Sequence, residues 1–199
     1  MTPIKSIVFD GSGVITDERP KETTKKWSER YNIPFDKIWE IVYLKNYYLA
    51  RDGKLGAQQY YRQSINELRM TIRYKEFVKD YIADCAVRSE MLKILKELYK
   101  KISLYLLSNQ TEINTIYLRP IIAKYFKMAF FSNEIKMHKP DPEIYEYFFK
   151  KTKIYPTTSL FIDDKDAPLT QAKKFNMNVY KFISVEDLKS KLVSLKLLG

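Results

Sequence analysis

Across 199 residues there is one cysteine, Cys85, and one histidine, His138, so no Cys/His zinc constellation and no internal disulfide can be built. Glycine and proline are scarce, at 5 and 8, and no stretch is low-complexity or linker-like, which argues for a chain folded throughout. No apolar run approaches the roughly 20 residues of a membrane span, and the opening residues lack the basic and then long apolar pattern of a signal peptide. The expectation is therefore a cytoplasmic protein without membrane partners, a monomer or homodimer. A lone cysteine is compatible with a reducing compartment.

What is present is a sizeable apolar fraction, 45%, and a strong positive balance, 35 Lys+Arg against 24 Asp+Glu for a net +11. The excess is spread along the chain. It suits anionic substrates such as phosphate esters. No basic cluster is interleaved with aromatics, so no specific nucleic-acid partner is expected.

Residues 4–9 form an apolar, β-branched run that ends at Asp10-Gly11-Ser12-Gly13, which reads as a buried strand entering a loop. From Pro20 to about Ala86 the patterns are helical: 20–31, then a helix opened by Pro34 with Ile38, Ile41, Val42 and Leu49 on one face, then 57–69 and 73–85. Beyond residue 88 the periods alternate. Strands are expected at 102–107, 129–131, 159–162 and 178–182, with helices at 89–100, within 112–126, and at 141–151, 168–175 and 185–194. Such alternation predicts an α/β fold: a three-layer, Rossmann-like parallel sheet with an inserted four-helix cap. The implied division is a core of 1–15 and 89–199 and a cap of 16–88.

The polar clusters fall where strands end. Asp10 follows the first strand, Ser108-Asn109 the second, and Asp163-Asp164 the strand at 159–162. Ligands of open parallel sheets bind outside the carboxyl ends of the strands, so these residues should assemble into one site. Carboxylates gathered there call for a cation, and oxygen-only ligands suit Mg²⁺.

The same residues resemble a family. Val8-Phe9-Asp10-Gly11-Ser12-Gly13-Val14-Ile15, Leu106-Leu107-Ser108-Asn109, Lys139-Pro140-Asp141-Pro142-Glu143-Ile144-Tyr145 and Phe161-Ile162-Asp163-Asp164 are similar, in order, to the four motifs of the haloacid dehalogenase (HAD) superfamily, and the helical insert resembles that superfamily's small α-helical cap. The resemblance implies a Mg²⁺-dependent phosphatase-type hydrolase of small phosphorylated metabolites. Asp10 would be the nucleophile that forms an aspartyl-phosphate. Ser108, the Asn109 amide and Lys139 would hold the phosphoryl group. Asp10, the Ser12 carbonyl, Asp164 and Asp163 would hold the metal. In the cap, Arg51 is a candidate substrate contact. The pattern breaks at Ser12, where family phosphatases carry a second Asp as acid/base. That departure keeps two alternatives open: a catalytically weak or silent HAD-fold binding module, and a 2-haloacid dehalogenase.

Overall fold

The structure, a computed structural model, describes residues 3–199. Five strands, β1 (Ser6–Phe9), β2 (Ser103–Ser108), β3 (Met128–Phe131), β4 (Ser159–Asp163) and β5 (Asn178–Lys181), form one sheet of order β3-β2-β1-β4-β5. All neighbours are parallel, with Phe9 level with Leu106 on one side and Ile162 on the other.

Strand alternation sorts the core into two layers. Ile7, Phe9, Leu104, Leu106, Leu160 and Ile162 face α6 (Ser89–Leu98), α7 (Glu112–Ile122) and α11 (Val185–Ser194). Val8, Tyr105, Leu107 and Phe161 face α9 (Pro142–Thr152) and α10 (Asp166–Lys174). Both faces of the sheet are apolar and covered, as a parallel sheet requires. A short helix, α8 (Ser132–Ile135), follows β3.

Between β1 and β2 lies the helical insert: α1 (Pro20–Tyr31), α2 (Phe35–Ile38), a π-helical stretch Trp39–Asn46, α3 (Tyr47–Arg51), α4 (Ala57–Leu68) and α5 (Tyr74–Ala83). The sequence pattern anticipates one regular helix opened by Pro34 and carrying Ile38, Ile41, Val42 and Leu49 on one face. The buried positions are Ile38, Val42, Tyr43, Asn46 and Ala50, four of them spaced four apart, while Ile41 and Leu49 are half-buried. Inward residues four apart outrun the 3.6-residue turn, and the wider i→i+5 turns of the π stretch absorb the difference. The insert has its own apolar cluster, from Trp27 to Tyr81, which Ile113 of α7 joins. Six rings stack in succession through it: Phe35, Trp39, Tyr43, Tyr81, Phe77 and Trp27. Each such pair contributes about 0.5–1.5 kcal/mol beyond its buried area.

The two crossings between sheet and insert run side by side. Asp17 N–H donates to the Ala86 carbonyl (2.8 Å), Arg19 N–H to Asp84 (3.0 Å) and Arg88 N–H to Ile15 (3.0 Å). Away from them, the insert is tied to the sheet region by Ser132 Oγ donating to the Arg51 carbonyl (2.8 Å) and by the Ala57 amide donating to Glu112 (2.5 Å). Among the described residues no helix is long and apolar enough to cross a membrane.

Candidate active site

Because β1 lies between β2 and β4, the carboxyl ends of these strands deliver Asp10, Ser108 and Asp163-Asp164 to one edge. The chain order reverses there, which is where such sheets bind ligands. The loop after β1 is closed by the Gly11 carbonyl, which accepts from the amides of Ile15 (2.8 Å) and Thr16 (3.0 Å).

Asp10 is 6% exposed. Its Oδ1 accepts the Gly11 amide (2.7 Å) and faces Lys139 Nζ (2.9 Å); Oδ2 takes part in neither contact. Lys139, itself buried, reaches across to Asp163 Oδ2 at 2.5 Å. Asp163 Oδ1 accepts the Lys165 amide (2.9 Å), so both of its oxygens are engaged. Asp164 differs. Its Oδ2 faces Lys165 Nζ at 2.9 Å, but its Oδ1 is buried with no protein partner.

One buried lysine serves two carboxylates, Asp10 and Asp163, while the exposed Lys165 meets the third, Asp164, so three acids face two cations. Burial pushes the Asp10 carboxyl up to about 7 against the pull of Lys139, and the charges of Asp163 and Asp164 add to the rise. Burial acts to lower Lys139, yet the facing charges of Asp10 and Asp163 leave it above its ordinary value. Oxygens of Asp10, Asp163 and Asp164 lie within 4.8 Å of one another. Opposite ligands of an octahedral Mg²⁺ stand roughly 4.2 Å apart, so the spacing fits that ion. The orphaned Asp164 oxygen is the group such a cation would satisfy. Gly13, at φ +81°, permits this approach: a side chain there would begin 2.5 Å from the Asp164 carboxylate.

Ser108 is fully buried at the end of β2, and its Oγ accepts from Gln110 Nε2 (3.0 Å). The same nitrogen donates to Ser12 Oγ (3.1 Å) and ties the two serines together. Gln110 is the residue that sequence reasoning missed, because a glutamine after Ser-Asn carries no motif of its own. The Asn109 side chain turns away from this group. Its Oδ1 accepts the Lys139 amide (2.9 Å) and its Nδ2 donates to the Lys139 carbonyl (2.8 Å), so it clamps the main chain that presents the lysine. Any phosphoryl contact from Asn109 is left to its main chain.

Arg51 is the cap residue expected to meet substrate. Its guanidinium instead pairs with Asp52 (2.8 Å) and lies over the Tyr48 ring, 4.8 Å from the centroid. Asp52 is also 3.6 Å from His138, which is 3.1 Å from Asp141. His138 thus sits between two acids where the cap meets the sheet region. Cys85 is half-buried, and burial, reinforced by the charges of Asp84 and Glu18, pushes its thiol up to about 12. It is a thiol at neutral pH, not a nucleophile.

A second carboxyl is displaced in the cap. Burial pushes Asp84 up to about 6, against hydrogen bonds from Thr23 and Tyr43. A carboxyl whose folded value is raised contributes stability that is lost as pH rises from its ordinary range through the folded value. Asp84→Asn avoids that loss. The variant is expected to match the wild type in urea denaturation at pH 4 and to exceed it at pH 8, by on the order of 2 kcal/mol. Equal stability at both pH values would show that Asp84 is not held out of its ordinary range.

Comparison with known proteins identifies the family and the fold. A family model described as haloacid dehalogenase-like hydrolase matches residues 7–182. A phosphorylated carbohydrates phosphatase of Thermotoga maritima is 24% identical over 180 residues, 85% of this chain and 81% of that protein. Among solved structures, an HAD family enzyme of Bacteroides thetaiotaomicron in complex with magnesium and inorganic phosphate superposes with a TM-score of 0.76 at 23% identity, covering 89% of this chain and 93% of that one. The L-2-haloacid dehalogenase of Xanthobacter autotrophicus does so with 0.63 at 18% identity, covering 98% and 85%.

Proposed function

The chain belongs to the haloacid dehalogenase-like hydrolase family, and from that premise we propose that it is a Mg²⁺-dependent phosphatase of small phosphorylated metabolites, working through an aspartyl-phosphate on Asp10. The observation that carries this reading is the cluster of Asp10, Asp163 and Asp164, with one Asp164 oxygen buried and unpartnered. A dehalogenase that attacks carbon has little use for such an excess of negative charge, whereas phosphoryl transfer needs a cation beside its nucleophile. The Bacteroides relative with bound magnesium and phosphate, and the Thermotoga relative named for phosphorylated carbohydrates, support the same direction. The division into a core of 1–15 and 89–199 and a cap of 16–88 is part of the proposal. The cap would exclude water from the site.

In this mechanism Asp10 Oδ2 attacks phosphorus in line, the bond from phosphorus to the leaving oxygen breaks, and the phosphoryl group passes to the carboxylate. Asp10, the Ser12 carbonyl and Asp164, with Asp163 beside them, would hold Mg²⁺. The bound ion would neutralise phosphoryl charge and orient the nucleophile. Lys139 holds Oδ1 and faces the developing charge. Ser108 Oγ, steadied by Gln110, and the Asn109 main chain receive the phosphoryl oxygens. Water then attacks phosphorus, releases phosphate and restores Asp10. The test is phosphate release from aryl, acyl and alkyl phosphates with Mg²⁺ and with EDTA. Halide release from 2-haloacids unaffected by EDTA would instead mark a dehalogenase.

The leaving oxygen needs a proton unless it departs easily, and Ser12 is a poor general acid near neutral pH. Gln110 Nε2 already donates to the Ser12 hydroxyl, so a carboxylate introduced there would find a hydrogen-bond donor waiting. Ser12→Asp is expected to raise turnover of alkyl phosphates by about 10²-fold and to change aryl phosphate turnover much less. Parallel changes in both substrates would show that proton transfer at position 12 does not limit the reaction.

A further inference from the structure

A cavity of about 200 Å³ opens between the cap and the nucleophile loop, with Ser12 in its lining. Its walls are aromatic, with Trp39, Tyr43, Tyr47 and Tyr81 prominent, and it also carries the carboxylates of Glu18 and Asp84. Among the described residues that line it there is no lysine, arginine or histidine. Burial raises the Tyr47 hydroxyl, with the charge of Glu18 adding to the rise and that of Arg51 opposing it.

The two acids are unequal. Glu18 is paired with Lys165 at 2.9 Å. Asp84 is 4% exposed and forms no salt bridge among the described residues. Its hydrogen-bonding neighbours are neutral: the Tyr43 hydroxyl at 3.5 Å and Thr23. It also caps the carboxyl end of α5, where the helix dipole opposes a negative charge. One turn earlier, Asp80 is satisfied by Lys26 (2.5 Å) and by the Trp27 indole N–H (2.9 Å). Asp84 has no such partner.

Charge decides what the cavity can hold. An anionic group would meet two carboxylates, only one of them paired with a lysine, and no cation among the lining residues. A neutral polyol or an apolar group would leave Asp84 buried and uncompensated. A small, weakly hydrated cation would meet aromatic walls and an unpaired carboxylate together. We propose that this cavity is the leaving-group pocket and takes an alkylammonium, so that the preferred substrates are phosphate monoesters of amino alcohols, quaternary ones foremost. The proposal rests on the phosphatase reading of the same site.

The test compares phosphocholine with 3,3-dimethylbutyl phosphate, the same shape with carbon in place of the cationic nitrogen, using the full chain with Mg²⁺ and p-nitrophenyl phosphate as reference. Phosphocholine is expected to show kcat/KM at least about tenfold above its isostere, and Asp84→Asn to bring the two nearly level. A wild-type ratio near one, a comparison that needs no variant, overturns the proposal. Failure of the phosphatase reading looks different: no Mg²⁺-dependent release even from p-nitrophenyl phosphate. The cavity is then judged by calorimetric titration with choline and with 3,3-dimethylbutanol. Tighter binding of choline, weakened in Asp84→Asn, upholds a cation pocket, and equal or absent binding of the two sinks it.

Discussion

Asp10→Asn is expected to lower Mg²⁺-dependent phosphate release by about 10⁴-fold or more, because a lost nucleophile leaves only residual positioning and charge stabilisation. The geometry makes the substitution a clean one. An amide oxygen can still accept the Gly11 N–H and face Lys139, as Oδ1 does now. The atom that changes is Oδ2, the proposed attacking oxygen, which becomes a nitrogen that cannot accept the phosphoryl group. Burial of the ionised carboxyl is costly, as its rise to about 7 records, so the variant should melt no lower than the wild type. The check is phosphate release alongside a thermal melt and an intact mass, since the new Asn-Gly pair could deamidate back to aspartate. Retained turnover in protein of verified mass would remove Asp10 from the mechanism.

Lys139→Met is expected to hurt both activity and folding. Lys139 is 3% exposed and is the one side-chain cation that reaches both Asp10 and Asp163. Removing one partner of a buried ion pair typically costs about 3–5 kcal/mol, and losing a charge that faces the transition state costs about 10²–10³-fold in turnover. The two effects separate in urea denaturation with and without Mg²⁺. A divalent ion can neutralise the stranded carboxylates, so part of the stability should return when it is added, while turnover should not. A variant as stable as the wild type without Mg²⁺ would show that Lys139 is not what compensates this cluster.

Much of this arrangement is legible in the sequence. The run from Ile4 to Phe9 reads as a buried strand because its residues are apolar on both sides, and both sides are covered. The acids and the serine stood out because small polar residues ended apolar strands. What escaped the sequence was what depends on the partner of a side chain. Arg51 has the charge to meet an anion, but Asp52 beside it takes the guanidinium. Asn109 belongs to a motif, yet its amide clamps the lysine's backbone. Gln110 gains its place only because folding brings Ser12 and Ser108 to one nitrogen. The π stretch was hidden as well, since Ile38, Ile41, Val42 and Leu49 fit an ordinary helical stripe, and only packing shows that the turn widened.

The stacked rings of the cap have a practical consequence. The chain has two tryptophans, Trp27 and Trp39, and both belong to that stack. The sheet and the helices that cover it carry none. Light absorbed selectively by indole is therefore emitted by the cap alone, so fluorescence follows the cap while the sheet and its covering helices stay dark. Trp27 is sealed and donates to Asp80, which makes it a reporter of cap unfolding. Trp39 borders the cavity beside Ser12, which makes it a reporter of whatever enters there.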